Sequence, residues 1–83
     1  MLNEKQLANV QKAVNCLNNK GQSKLQEYFR YPTQSNSSYL TGYLTCLYEN
    51  NLLPSWEYDI LLVLSEAKDP YFLLKEINWK VKT

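Results

Sequence analysis

The chain has 83 residues, 45% of them apolar and 20% charged, with a net charge of +1. This length holds one hydrophobic core and not two, and the apolar content is too high for a disordered segment. The longest aliphatic run, Ile60 to Leu64, falls far short of the roughly 20 apolar residues of a membrane span, so neither a membrane protein nor a two-domain enzyme is expected.

The chain opens Met1-Leu2-Asn3-Glu4-Lys5-Gln6 and passes directly into an amphipathic pattern, with no basic start followed by an apolar stretch. No secretion signal is read, and a cytoplasmic location is expected. Leu7, Val10, Val14 and Leu17 form one helical stripe that Gly21 is expected to end, with the amides Asn9, Gln11, Asn15 and Asn18 on solvated faces. Ser23 can cap a short second helix, about two turns long, that carries Leu25, Tyr28 and Phe29 inward and stops before Pro32. The polar run Thr33 to Ser38 has the composition of a surface loop.

Ser37 or Ser38 then caps a third helix, whose stripe is Leu40, Tyr43, Leu44 and Leu47. Gly42 and Cys46, four apart, suggest a small-residue strip suited to close helix approach. Asn50 and Asn51 close this helix, and Ser55 caps a fourth after the short turn Leu52-Leu53-Pro54. The fourth presents Trp56, Ile60, Leu61, Val63, Leu64 and Ala67, apolar over more than half its circumference, which marks it as the centre of the bundle. Asp69-Pro70 starts a fifth helix through Phe72, Leu73, Leu74 and Ile77, fraying near Trp79. No strand pattern is found. The expected fold is an all-α compact bundle of four to five short helices, one domain over residues 1–83, and a domain this small gains from forming a homodimer.

Charge is segregated along the chain. Residues 1–30 carry Lys5, Lys12, Lys20, Lys24 and Arg30 against Glu4 and Glu27, a net +3, whereas residues 31–67 carry only Glu49, Glu57, Asp59 and Glu66, a net −4. From Lys68 onward the four lysines 68, 75, 80 and 82 against Asp69 and Glu76 give +2.

Absences exclude most chemistry. With no histidine, the commonest general base and nitrogen ligand are missing, and nucleophile-histidine arrangements are impossible. Gly21 and Gly42 are the only glycines, so no phosphate-cradling loop exists. Cys16 and Cys46 lie 30 positions apart, outside any metal or disulfide spacing, and read as buried free thiols. Glu57 and Asp59, two apart on a helix, point in different directions and cannot share a substrate. No enzyme, cofactor or metal site is expected.

The second helix contains Gln22-Ser23-Lys24-Leu25-Gln26-Glu27-Tyr28-Phe29. These eight residues resemble the peptide box by which eukaryotic and archaeal proteins bind the replication sliding clamp. The resemblance implies that Gln22 enters a polar pocket of the clamp while Leu25, Tyr28 and Phe29 fill an apolar one. The same spacing equally suits an amphipathic helix joining its own core.

Two other surfaces compete. Lys5, Lys12, Lys20, Lys80 and Lys82 could form a basic face for nucleic acid, although Glu57 and Asp59 at the start of the fourth helix oppose a groove-reading role there. Seven tyrosines exceed what a small core holds, and Tyr48 and Tyr58 beside Glu49, Glu57 and Asp59 outline an acidic, tyrosine-bearing face for a protein partner. The leading expectation is a small stoichiometric protein-binding regulator or inhibitor, read from its size as the product of a phage or mobile element. Nucleic-acid binding and clamp binding are the alternatives.

Overall fold

The computed structural model describes residues 2–81, and all regular structure among them is helical. The elements are α1 (Glu4–Asn15), α2 (Asn19–Arg30), α3 (Gln34–Glu49) and α4 (Ser55–Leu64), then a 3-10 turn (Pro70–Phe72) that runs into the short α5 (Leu73–Glu76). The small all-α bundle is as expected; most helix starts are not.

Asn3 caps α1 reciprocally with Gln6: its side chain accepts the Gln6 N–H at 2.8 Å, and the Gln6 amide oxygen accepts the Asn3 N–H at 3.0 Å. The helix stops at Asn15, well before Gly21, because Asn18 starts the next one by accepting the Gly21 N–H at 2.8 Å. Gly21 therefore lies inside the first turn of α2, where an added Cβ would come within 3.1 Å of Leu17. The expected cap at Ser23 is wrong, and α2 has 12 residues where two turns were expected.

The polar run after Pro32 is also helical rather than a loop. Thr33 accepts the Asn36 N–H at 3.1 Å, so α3 begins at Gln34 and reaches 16 residues. Its early serine is used inward: the Ser37 hydroxyl donates to the Ser65 carbonyl at 2.7 Å. The helix ends as expected, at Asn50-Asn51. Asn51 takes φ of 60°, Leu52 N–H reaches the Leu47 carbonyl and Asn51 N–H the Tyr48 carbonyl, the paired bonds of a left-handed helix stop. In α4 the N-cap position belongs to Pro54, with no side-chain cap, so Ser55 does not serve as one.

α1 packs on α4, α2 on α3, and α3 on α4, around Val14, Leu17, Leu25, Phe29, Leu40, Leu44 and Leu61. The central helix is α2, which buries Gly21, Gln22, Leu25, Gln26, Tyr28 and Phe29. α4, expected to hold that place, keeps Leu61 and Leu64 inside but leaves Trp56 and Val63 in solvent. Gly42 and Cys46 face outward, with nothing within 4 Å of a Cβ built on Gly42, so no helix approaches that strip. Both cysteines are exposed, contrary to the buried reading: Cys16 caps the end of α1, beyond its stripe, and Cys46 lies on the outer side of α3.

The segment after α5 is tied down by glutamines. Gln11 donates to the Asn78 carbonyl at 2.9 Å and accepts its N–H at 2.7 Å; Gln22 accepts the Lys80 N–H at 2.9 Å; Gln26 donates to the Val81 carbonyl at 2.9 Å. The expectation that the Gln11 amide is simply solvated therefore fails. Trp79, read as a fraying end, is in the core, its ring edge-on to Phe29 at 6.0 Å and its indole N–H on the Leu74 carbonyl.

Candidate interaction surface

α4 lies between α1 and α3, and consecutive helical residues diverge by roughly 100°. Glu57 consequently turns toward α1 and Tyr58 toward α3. Glu57 is only 7% exposed, with Lys12 Nζ at 3.9 Å. Tyr58 stacks on Tyr48, ring centroids 4.3 Å apart and planes 5° from parallel, and its hydroxyl shares a 2.9 Å hydrogen bond with Thr45. Tyr48 keeps 39% of its surface exposed, while Glu49 and Asp59 are exposed. Tyr48, Glu49, Glu57, Tyr58 and Asp59 thus do not share one face. The tyrosine pair serves as an α3–α4 joint with one ring outward, and Glu57 belongs to the opposite side of α4.

The clamp-like residues Gln22, Leu25, Tyr28 and Phe29 are all inside the fold. Gln22 is 0% exposed, its amide nitrogen facing the Val14 carbonyl at 3.2 Å and the Leu17 carbonyl at 3.4 Å. Leu25 and Phe29 are fully buried, and Tyr28 donates to the Ala67 carbonyl at 2.6 Å. Burial and the nearby Glu66 raise the Tyr28 pKa, which keeps that hydroxyl a donor. A clamp would have to open this core to reach the motif.

The basic residues are dispersed. Lys12 lies 5.5 Å over the Trp56 ring and beside Glu57, Lys20 is on the first turn of α2, and Lys5 and Lys80 are exposed elsewhere. Lys82 lies outside the described residues. Lys24, absent from the expected basic face, sits 4.1 Å over the ring of Tyr39 and 5.4 Å from that of Tyr43, and its hydrogen bond and charge lower the Tyr39 pKa.

A different face stands out. Along α4, Trp56 is 61% and Val63 73% exposed, with the half-buried Ile60 between them. Leu2 and Val10 of the α1 side complete a shallow groove of about 330 Å³ with these residues, edged by Gln6 and Asn9. These three apolar side chains lie on one side of one helix and form an exposed apolar strip. The apolar residues that cover more than half of the circumference of α4 were visible in the sequence, but that breadth reads there as the mark of a central helix.

No family model, curated protein or solved structure matches the chain. The remaining chemistry is sparse. Among the described residues no cluster of three or more metal-ligating side chains occurs, and no helix is long and apolar enough to cross a membrane. A larger cleft, about 800 Å³, runs between the start of α3 and residues 66–68, but the hydroxyls of Tyr28, Ser37 and Thr41 along it bond to Ala67 and Ser65 of the fold itself.

Proposed function

We propose that this protein is a small cytoplasmic regulator that binds another protein stoichiometrically through the α1–α4 face, with Trp56 and Val63 as anchors. One observation carries the reading: Trp56 and Val63 leave 61% and 73% of their surfaces in water on the same side of one helix. Covering both would remove on the order of 250 Å² of apolar surface, a gross gain of about 6 kcal/mol before the cost of association. Trp56 is the residue type that dominates such interfaces, and the Lys12 ammonium above its ring restricts the indole before any partner arrives. The polar edge supplied by Gln6 and Asn9 suits an interface with an apolar middle and a hydrogen-bonding rim.

The test is capture from nuclease-treated lysate of the native host by immobilised protein. A partner retained in a 1:1 ratio by the wild type and by Tyr48→Ala, and lost with Val63→Lys, is the expected result. A partner that survives Val63→Lys but is lost with Tyr48→Ala moves the site to the α3–α4 joint and refutes this assignment.

A further inference from the structure

We propose that the α1–α4 face also pairs with a second copy of this chain, in a two-fold dimer that covers Trp56 and Val63. The proposal rests on the reading of that face as a docking surface. It adds a named occupant and one specific arrangement.

The arrangement follows from how charge flanks the apolar band. α1 and α4 run antiparallel: Lys12, near the end of α1, meets Trp56 and Glu57 at the start of α4, and Leu2 shares the groove with Val63 at the other end. Outside the band on α4 stands the exposed Asp59. Outside it on α1, beyond Asn9, stands the exposed Lys5, whereas Lys12 is turned in over the Trp56 ring. The face therefore has an acidic edge, an apolar centre and a basic edge.

Two copies meeting face to face about a two-fold axis parallel to the helices place α1 of each across α4 of the other. Asp59 then faces the edge that carries Lys5 of the second copy, and the same pairing recurs on the other side. With the axis perpendicular to the helices, lysines would meet lysines and aspartate would meet aspartate, so charge selects the first geometry.

Size sets the strength. The 12 residues of α1 and 10 of α4 make a footprint of about 18 by 20 Å, roughly 360 Å² per partner and below the standard size of a stable specific interface. A contact of that size makes a weak, transient dimer, which a tighter partner displaces while using the same anchors.

The experiment is sedimentation equilibrium of the full chain from about 5 to about 500 μM. The expected mass rises from the 9.8 kDa of one chain toward twice that value. Val63→Lys should stay monomeric with unchanged helical circular dichroism, Asp59→Lys should weaken the dimer about tenfold, and adding Lys5→Glu to Asp59→Lys should restore it to within about threefold. A wild type that is monomeric throughout, a Val63→Lys variant that still dimerises, or an Asp59→Lys variant that dimerises more tightly overturns the proposal. If the wild type is monomeric yet Val63→Lys loses the captured partner, the second-copy claim alone falls and the docking face stands.

Discussion

Gln22→Ala separates a buried structural amide from an exposed recognition residue. In the fold, the Gln22 side chain faces the Val14 carbonyl at 3.2 Å and the Leu17 carbonyl at 3.4 Å, and it accepts the Lys80 N–H at 2.9 Å, with no exposed surface of its own. The two donor contacts are long, and Val14 also receives the Leu17 N–H at 3.0 Å, so its carbonyl keeps a partner in the variant. The Lys80 N–H is only partly buried, and water can replace some of what it loses. Unsatisfied groups and the small cavity together should cost about 2 to 3 kcal/mol. With an unfolding entropy of roughly 2.1 cal/mol/K per residue, such a loss lowers Tm by about 12 to 17 °C in a chain of this size. Thermal melting followed by far-ultraviolet circular dichroism reads this directly. Ser23→Ala, one residue away and exposed, is the matched control and should move Tm by less than about 3 °C. If Gln22→Ala shifts Tm no more than that control does, Gln22 is not the link between α1 and the terminal segment described above.

Three further outcomes follow from the contacts. Tyr28→Phe keeps the ring and loses the bond to the Ala67 carbonyl, so urea or thermal unfolding should report a loss of about 1 kcal/mol, or 4 to 8 °C. The Cys16 thiol is held above its ordinary pKa, first by partial burial and then by Glu57, while Lys12 and Lys80 pull the other way; Glu57→Gln should shift the pH midpoint of Cys16 alkylation downward, and an upward shift would contradict that electrostatic picture. Val63→Lys should melt within about 3 °C of the wild type or slightly higher, since a cation in the last turn of α4 suits the helix dipole and pairs with Asp59 four residues earlier.

The stripes were legible because helical periodicity survives any error about where helices begin. Val10, Val14, Leu17, Leu25, Phe29, Leu40, Leu44 and Leu61 all reach the core from positions that spacing alone assigns. The boundaries failed where one polar side chain outcompeted composition. Asn18 captures the Gly21 N–H and makes a glycine part of a helix, and Thr33 turns a run with the composition of a loop into the first turn of α3. Gln11 looked solvated, Gln22 looked ligand-binding and Gln26 drew no reading, because nothing local reveals that residues 78–81 return to meet them; those bonds span 55 to 67 residues.

The candidate site was harder to read for a related reason. Apolarity around α4 was visible, yet which part of it faced the core depended on α1 and α3 packing on either side. That packing sends Glu57 to one neighbour and Tyr58 to the other, which divides the acidic tyrosine face suggested by adjacency in sequence. It leaves Trp56 and Val63 on the remaining side, facing solvent.

The central claim, that this remaining side is where another protein binds, is tested most directly by titrating the captured partner against two variants in parallel. Val63→Lys alters the α4 anchor and Lys20→Glu alters the basic start of α2. The account predicts that Val63→Lys weakens binding at least about 30-fold, the loss of one interface anchor, while Lys20→Glu stays within about threefold of the wild type. The reverse order, with Lys20→Glu abolishing binding and Val63→Lys leaving it intact, would contradict it.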